Sequence, residues 1–404
     1  MMNILLITDN FYPETNAPAN RGLEHCLYWA GTGNNVTVIT SAPNFPEGII
    51  YEGYKNSLYQ FSYHKGIRII RVWTFLAENK GIWKRLIDHV SFMFTSFFCG
   101  LFIRKIDVVI GTSPHIFSCV SALLLSKIKR KKFVFELRDL WPDSLIAVGL
   151  DKNKILYRFG KYLEFWLYKN SDLIICLTNS FRNYLINLNF DSKKVKIVTN
   201  GVNTKFFDPK ESINKKKELL NFNVSYFGTI GMAHSIITIV NTAKIIQDNY
   251  PKLPIKFTLI GSGAEHSYIK KFILDNKIKN IKILKNISRN KILSYLKITH
   301  ISIIHLKRSK LFKTVIPSKL FENMAMGIPI VHGVLGESKK LVLKHKIGIT
   351  FTPENSEDLC KSILKLYNDK RLYNEISKNC LNTSKLFERN NLAKKMLDEI
   401  MKVV

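Results

Sequence analysis

Cysteine is sparse and scattered in this chain. The six residues Cys26, Cys99, Cys119, Cys176, Cys360 and Cys380 include no pair at C-x-x-C spacing, which argues against the usual zinc and dithiol redox sites. They read as reduced, buried thiols of a cytoplasmic protein. The first residues, MMNILLITDNF, lack the basic n-region, apolar stretch and small-residue cleavage site of a secretory signal, so they are expected to form a first strand. One apolar stretch, residues 90–103 (VSFMFTSFFCGLFI), falls short of the roughly 20 residues a spanning helix needs. Asp88 and His89 precede it, and Lys84, Arg85, Arg104 and Lys105 flank it. It fits a helix lying at an anionic interface or a buried core helix, and the residues alone leave both open. No internal repeat and no low-complexity segment is present.

Acidic residues are also scarce. Against 61 Lys and Arg stand 31 Asp and Glu, a formal net charge of +30 over 404 residues. That imbalance suggests an acidic partner: nucleic acid, an anionic membrane or a phosphorylated substrate. Adenine- and thymine-rich coding, which favours Lys, Asn and Ile, accounts for part of it without any partner. A hydrophobic fraction of 46% is ample for real cores, so a disordered tail or a small stapled module is excluded.

Short, β-branched apolar runs alternate with helical stretches, the pattern of parallel strands joined by crossover helices. In the first half they cover residues 3–8, 35–40, 68–73, 107–111, 133–137, 173–177 and 195–199. After a Lys-rich stretch at 208–220 the pattern restarts with 224–227, 255–260, 281–284, 301–305 and 328–332. Two doubly wound α/β sheets are expected in tandem: a domain at 1–205, a second at 206–385, and a helix at 386–404 that packs back across the junction. Ligands of open parallel sheets bind outside the carboxyl ends of the strands, so the two domains are expected to face each other across a cleft.

The segment FKTVIPSKLFENMAMGIPIV carries the most chemistry. Pro317, Ser318 and Lys319 open a helix with Glu322 about one turn in, and helix N-termini attract anions through free N–H groups and the macrodipole. Lys319 can add a point charge to a phosphate, and Glu322 can accept hydrogen bonds from ribose hydroxyls. The alternative is a plain capping box at Ser318. Gly261 and Gly263 follow the strand KFTLI, either as a loop beneath a nucleotide or as an ordinary strand-to-helix turn. Asp9 to Arg21 fills the first strand-to-helix loop, and Asp9 alternatively caps a turn. Glu136, Arg138 and Asp139 end the strand KKFVFEL, and His115 ends the one before it.

In order, TDNFYPETNAPANR, FELRDLWPDS, SDLIICLTNSF, VTNGVNTKFF, YFGTIG, LIGSGAE and PSKLFENMAMGIPIV resemble glycosyltransferase family 4, two-domain enzymes of GT-B fold. DNFYPE, APNFP, DLWPDS and PSKLFE together are similar to the WbuB-type subgroup, which transfers deoxyaminosugars in O-antigen or capsule assembly. The resemblance spans nearly the whole chain. It implies donor binding by Gly228, Gly231, Gly261, Gly263, Lys307, Pro317, Ser318, Lys319 and Glu322, with Arg308 and Lys313 behind them. Acceptor-side contacts fall to Asp9, Asn16, Ala17, Arg21 and His115. Asp139, Arg138 and Lys319 are the catalytic candidates, Asp139 orienting the acceptor hydroxyl or pairing structurally with Arg138.

The chain departs from the family pattern at three places. The family's E-x7-E has its second acid at Glu322, but Thr314 stands at the first. Met232, Ala233 and His234 occupy positions where Arg and Lys usually clamp the diphosphate, so backbone N–H groups near Gly228 and Gly231, with Lys307 and Lys319, are expected to take over. Arg138 replaces the histidine of a His-Asp pair. No D-x-D segment occurs, which favours a metal-independent reaction with no cofactor, the departing diphosphate being stabilised by helix dipoles and cations.

The resemblance implies a retaining transfer from a UDP-linked deoxyaminosugar, such as N-acetylfucosamine, to a polyprenyl-diphosphate-linked oligosaccharide. The expected partners are this donor, the lipid-linked acceptor and the anionic inner face of a bacterial plasma membrane. A UDP-sugar epimerase of the same fold is the alternative enzyme. A basic nucleic-acid binder is the weaker one, since no nucleic-acid-reading module is present.

Overall fold

The computed structural model describes residues 1–77, 82–146, 155–210 and 220–404. It divides into two compact units, Met1–Thr199 with Arg389–Val404, and Asn200–Glu388. Both are Rossmann-like α/β layers.

The first unit is built on an eight-stranded sheet in the order β3-β4-β2-β1-β5-β6-β7-β8. Its strands are β1 Asn3–Ile7, β2 Asn35–Ser41, β3 Tyr59–His64, β4 Ile67–Val72, β5 Val108–Thr112, β6 Lys132–Leu137, β7 Leu173–Cys176 and β8 Val195–Ile197. All neighbours pair in parallel except the β3–β4 hairpin at the edge. The parallel strands are covered on both faces, which is why they read as unbroken apolar runs. Strand β4 matches the run expected at 68–73, whereas β3 (YQFSYH) exposes alternate aromatic residues and has no such run to signal it. The helices are α1 Ala17–Gly31, α2 Ile82–Leu101, α3 Ile116–Lys129, α4 Asp143–Ile146, α5 Ile155–Asn170 and α6 Asn179–Asn187. Helix α1 starts where Asn16 Oδ1 accepts the Ala19 N–H at 2.9 Å, an ordinary N-cap.

The second unit has a six-stranded, all-parallel sheet in the order β11-β10-β9-β12-β13-β14. These strands are β9 Phe222–Phe227, β10 Ile255–Ile260, β11 Ile281–Leu284, β12 Ile301–His305, β13 Ile330–Gly333 and β14 Gly348–Thr350. The helices are α7 Ile236–Asn249, α8 His266–Asp275, α9 Arg289–Ile298, α10 Lys319–Ala325, α11 Glu337–Lys344, α12 Ser356–Asn368 and α13 Lys370–Ser384. The three-residue β14 carries too short a pattern to read in advance.

The chain leaves the first unit after Thr199 rather than after residue 205. Val202 is buried in the second unit's core and donates its N–H to Phe387 O at 2.9 Å, and the Thr204 N–H donates to Glu388 Oε2 at 3.1 Å. Residues 211–219, within the Lys-rich stretch at 208–220 and including Lys215-Lys216-Lys217, lie outside the described residues. The last helix, α14 Arg389–Met401, returns to the first unit against α1. There Trp29 Nε1 donates to Ala393 O at 3.0 Å, and Arg389 lies 2.9 Å from Glu24 in a buried pair.

Most of residues 90–103 falls on helix α2, which has one buried and one exposed face. Phe92 and Ser96 are buried against the unit, while Phe94 and Phe98 on the opposite side are exposed. Among the described residues no helix is long and apolar enough to cross a membrane.

Candidate active site

In the second unit, the loops after β9 and β10 run backbone against backbone. Gly228 N–H donates to Ile260 O and Ile230 N–H to Ser262 O, both at 3.0 Å. A Cβ on Gly261 would fall into the Gly228 carbonyl, and one on Gly263 into the Ile230 carbonyl. Close packing of the two loops therefore requires both glycines. The Gly228 N–H, expected to face a phosphate, is spent on this packing, whereas a Cβ on Gly231 would meet only the Thr229 methyl, at 3.4 Å.

The segment Met232–His234 brings no cation to this edge. Burial pushes His234 down to about 4, as it does His305 at the end of β12. His332, on β13, is pushed to about 3 by burial and by nearby His305, and its Nε2 lies 2.7 Å from Ser338 Oγ. All three imidazoles are neutral near pH 7. Lys307 is tied to this segment, its backbone N–H donating to Ala233 O at 2.9 Å. Arg308 turns away, with Nε 3.2 Å from Pro353 O, and Lys313 sits in the 3-10 turn Leu311–Thr314.

Pro317 and Ser318 lead directly into α10. No capping box forms: Ser318 is itself helical (φ −60, ψ −28) and its side chain makes no cap bond. Lys319 Nζ lies 3.0 Å from Glu322 Oε2, their i,i+3 spacing placing both on one helix face. Lys319 and Glu322, expected to serve phosphate and ribose separately, are thus partners of one another here.

In the first unit, a set of ionisable groups gathers beyond β1, β2 and β5. Asp9 Oδ2 accepts from Asn10 Nδ2 at 2.9 Å and lies 3.3 Å from His115 Nε2. Among the described residues, Asp9 Oδ1 and His115 Nδ1 are buried without hydrogen-bond partners. The His115 ring lies against that of His89, tilted by 51° with centroids 3.8 Å apart. Burial raises the Asp9 carboxyl and pushes His115 down to about 3. Asp88 accepts from Thr74 Oγ1 at 2.8 Å and is raised by burial and by Asp9. Arg85 is close enough to oppose the rise of both acids. Glu14 accepts the Asn44 and Phe45 N–H groups at 2.8 and 2.9 Å, and burial lifts it to about 7.

Asp9 and His115 were visible in the sequence; Glu14, Arg85, Asp88 and His89 were not assigned to the site. For Asp88 and His89 the signal was present in the Asp-His pair that precedes the apolar stretch of α2. Asn16 and Ala17 form the start of α1, with Asn16 Nδ2 also donating to Asn10 Oδ1 at 2.6 Å.

Arg21, expected as an acceptor contact, belongs to the core instead. Its Nε donates to Glu136 Oε1 at 2.7 Å, and its terminal nitrogens donate to Thr199 O at 2.6 Å and Val198 O at 3.0 Å. Burial alone would raise Glu136, but Arg21 and Arg138 hold its carboxyl below the ordinary value. Arg138 donates to Pro18 O at 3.3 Å, and its backbone N–H donates to Ser113 Oγ at 2.8 Å. Asp139 is lifted to about 6 by burial, opposed by hydrogen bonds from Ser144 and the Leu140 backbone.

Two Rossmann-like units, each with polar groups gathered at the carboxyl edge of a parallel sheet, form the GT-B class of architecture. Residues 22–206 match Glycosyltransferase Family 4, and residues 206–382 match Glycosyl transferases group 1. These matches lie end to end, and the chain is a glycosyltransferase of GT-B type. It is 23% identical over 339 residues to the putative colanic acid biosynthesis glycosyl transferase WcaI of Escherichia coli K12, covering 81% of this chain and 82% of that one.

Solved structures share the fold. Sucrose-phosphate synthase from Thermosynechococcus elongatus superposes with a TM-score of 0.78 at 15% identity, covering 100% of this chain and 99% of that one. Anabaena HepE, solved with UDP and glucose, gives 0.72 at 14% identity with 100% of both chains covered. WaaG, a glycosyltransferase involved in lipopolysaccharide biosynthesis, gives 0.70 at 11% identity with 98% of both covered.

Proposed function

We propose that this glycosyltransferase moves a sugar from a UDP-sugar to a polyprenyl-diphosphate-linked oligosaccharide in the assembly of a bacterial surface polysaccharide, O-antigen or capsule. The observation that carries the donor half is the edge of the second unit: glycine loops pressed backbone to backbone after β9 and β10, and Lys319 with Glu322 on one face of α10 after β12. Such an edge suits a nucleotide diphosphate, with Glu322 accepting from ribose hydroxyls and Lys307 meeting phosphate charge. The HepE complex with UDP and glucose and the colanic acid relative support the donor and the pathway class.

The finer reading is a deoxyaminosugar such as N-acetylfucosamine, transferred with retention at the anomeric carbon and without a metal. A donor phosphate oxygen helps take the acceptor proton. Asp9, His115 and Asp139 are the acceptor-side groups, and the enzyme works peripherally on the inner face of the plasma membrane. Incubation of the purified protein with a panel of UDP-, GDP- and dTDP-sugars and a lipid-linked acceptor tests this. UDP release with a matching mass increment in the acceptor, unchanged by EDTA, is expected. Turnover with GDP- or dTDP-sugars alone would overturn the donor assignment, and an inverted anomeric signal by NMR would overturn retention.

A further inference from the structure

An open cavity of about 520 Å³ lies in the first unit at the amino ends of β1 and β2, between the β3–β4 hairpin and the end of α2. Three cations line it, Arg68, Arg104 and Lys105, with the rings of Tyr59, Tyr63 and Phe102, and no carboxylate is among its lining residues. The nearby Asp107 is occupied by the backbone and side-chain N–H groups of Asn3, at 2.7 and 2.8 Å. Arg68 pairs across the hairpin with Tyr63, and its terminal nitrogen donates to Tyr59 Oη at 3.3 Å. Its Nε is buried without a partner among the described residues. A planar guanidinium with an unused donor, beside two more cations, is built for a phosphate-like oxyanion.

The surroundings of the cavity identify the source of that anion. Phe102, 85% exposed, lies just past the end of α2 and follows a stripe of exposed side chains on that helix, Phe98, Phe94, Ile87 and Trp83. The 4- and 7-residue steps keep these side chains on one helix face. A surface helix ordinarily turns polar residues outward. This one turns aromatic residues outward, and its only acid, Asp88, is buried. Tyr59, Phe61 and Tyr63 of β3 are exposed as well, and strand alternation puts them on the same side of the hairpin as Arg68. A free sugar phosphate would account for the cations but not for the apolar stripe running into them. An anionic lipid surface accounts for both, the rings entering the headgroup boundary and the cations meeting phosphates.

We propose that this cavity binds the phosphate of an anionic phospholipid while the outward stripe of α2 lies in the bilayer interface, docking the first unit on the membrane. The inference deepens the membrane-surface reading above and rests on it. Sedimentation of the full chain with phosphatidylcholine vesicles, with and without phosphatidylglycerol, tests it. Binding only when phosphatidylglycerol is present is expected, reduced at least tenfold in Arg68→Gln/Arg104→Gln and in Phe94→Glu/Phe98→Glu. The charge-matched control Lys252→Gln/Lys256→Gln, on the exposed surface of the second unit, is expected to bind as the parent does.

Equal loss in the control and cavity variants would show diffuse charge attraction and overturn the site. Full competition by free glycerol 3-phosphate would assign the cavity to a soluble anion and overturn the lipid. Absence of vesicle binding by the parent would overturn docking altogether. Thermal stabilisation by UDP, followed on the same variants, reports folding and donor binding separately, so a failure of docking is distinguishable from a failure of the transferase reading.

Discussion

Arg21 and Glu136 form a nearly fully buried ion pair, with Nε 2.7 Å from Oε1, that ties the first helix of the first unit to its sheet. The two terminal nitrogens of Arg21 donate to the carbonyls of Thr199 and Val198, the last residues before the chain leaves the unit. Removing one partner of such a pair leaves the other charge buried and uncompensated, at a cost of about 3–5 kcal/mol. Arg21→Ala is therefore expected to lower the unfolding temperature of the first unit and leave UDP binding intact, as read by calorimetric scans with and without UDP. Unchanged stability with a raised acceptor KM would return Arg21 to the binding surface.

Much of the fold was legible because parallel strands covered on both faces must be apolar throughout, as in VVIGT of β5 and ISIIH of β12. Strand β3 carried no such signal, because this outer strand of the hairpin displays aromatic side chains instead of burying them. The site was legible where position along a strand sufficed, as for Asp9 and His115. It was not legible where a side chain's partner decides its role. Nothing in the spacing shows that Arg21 points inward to Glu136, or that Asp88, on a helix that crosses from β4 to β5, comes within range of Asp9.

Gly261 offers a direct test of the loop packing in the second unit. Adding a methyl there drives it into the Gly228 carbonyl, and overpacking of this kind costs about 1–3 kcal/mol. Gly261→Ala is expected to destabilise the second unit and weaken UDP binding together, measured by thermal unfolding and calorimetric titration. Gly31→Ala, at the end of α1 with nothing within 4 Å of the new Cβ, is expected to be neutral or stabilising by about 0.5–1 kcal/mol. Wild-type behaviour of Gly261→Ala would mean that the two loops separate readily.

The Lys319–Glu322 contact predicts unequal effects on donor affinity. Two hydrogen bonds from ribose hydroxyls to a carboxylate are worth about 1.5–3 kcal/mol each, so Glu322→Ala should weaken UDP binding tenfold or more. Lys319→Ala should weaken it by about threefold or less, because the ammonium is already neutralised by Glu322 and both side chains are partly open to solvent, 34% and 16%. Titration calorimetry with UDP gives both numbers. A larger loss for Lys319→Ala would show that the lysine leaves Glu322 for the diphosphate when donor binds.

Glu14 makes a prediction about pH. Burial lifts its carboxyl from 4.5 to about 7 despite the Asn44 and Phe45 N–H groups it accepts. The folded chain therefore holds this proton more tightly than the unfolded chain does. Its contribution to stability is fully present below pH 4.5 and is lost as pH rises through about 7. The total change is about 3 kcal/mol for a group as enclosed as this one. Glu14→Gln keeps an oxygen acceptor for the two backbone donors and cannot ionise, so the first unit's unfolding temperature should fall less steeply between those pH values than in the parent. Scanning calorimetry of both proteins across that range measures the difference. Parallel curves would mean that Glu14 titrates in the folded chain as it does in the unfolded one, and that burial does not govern its charge.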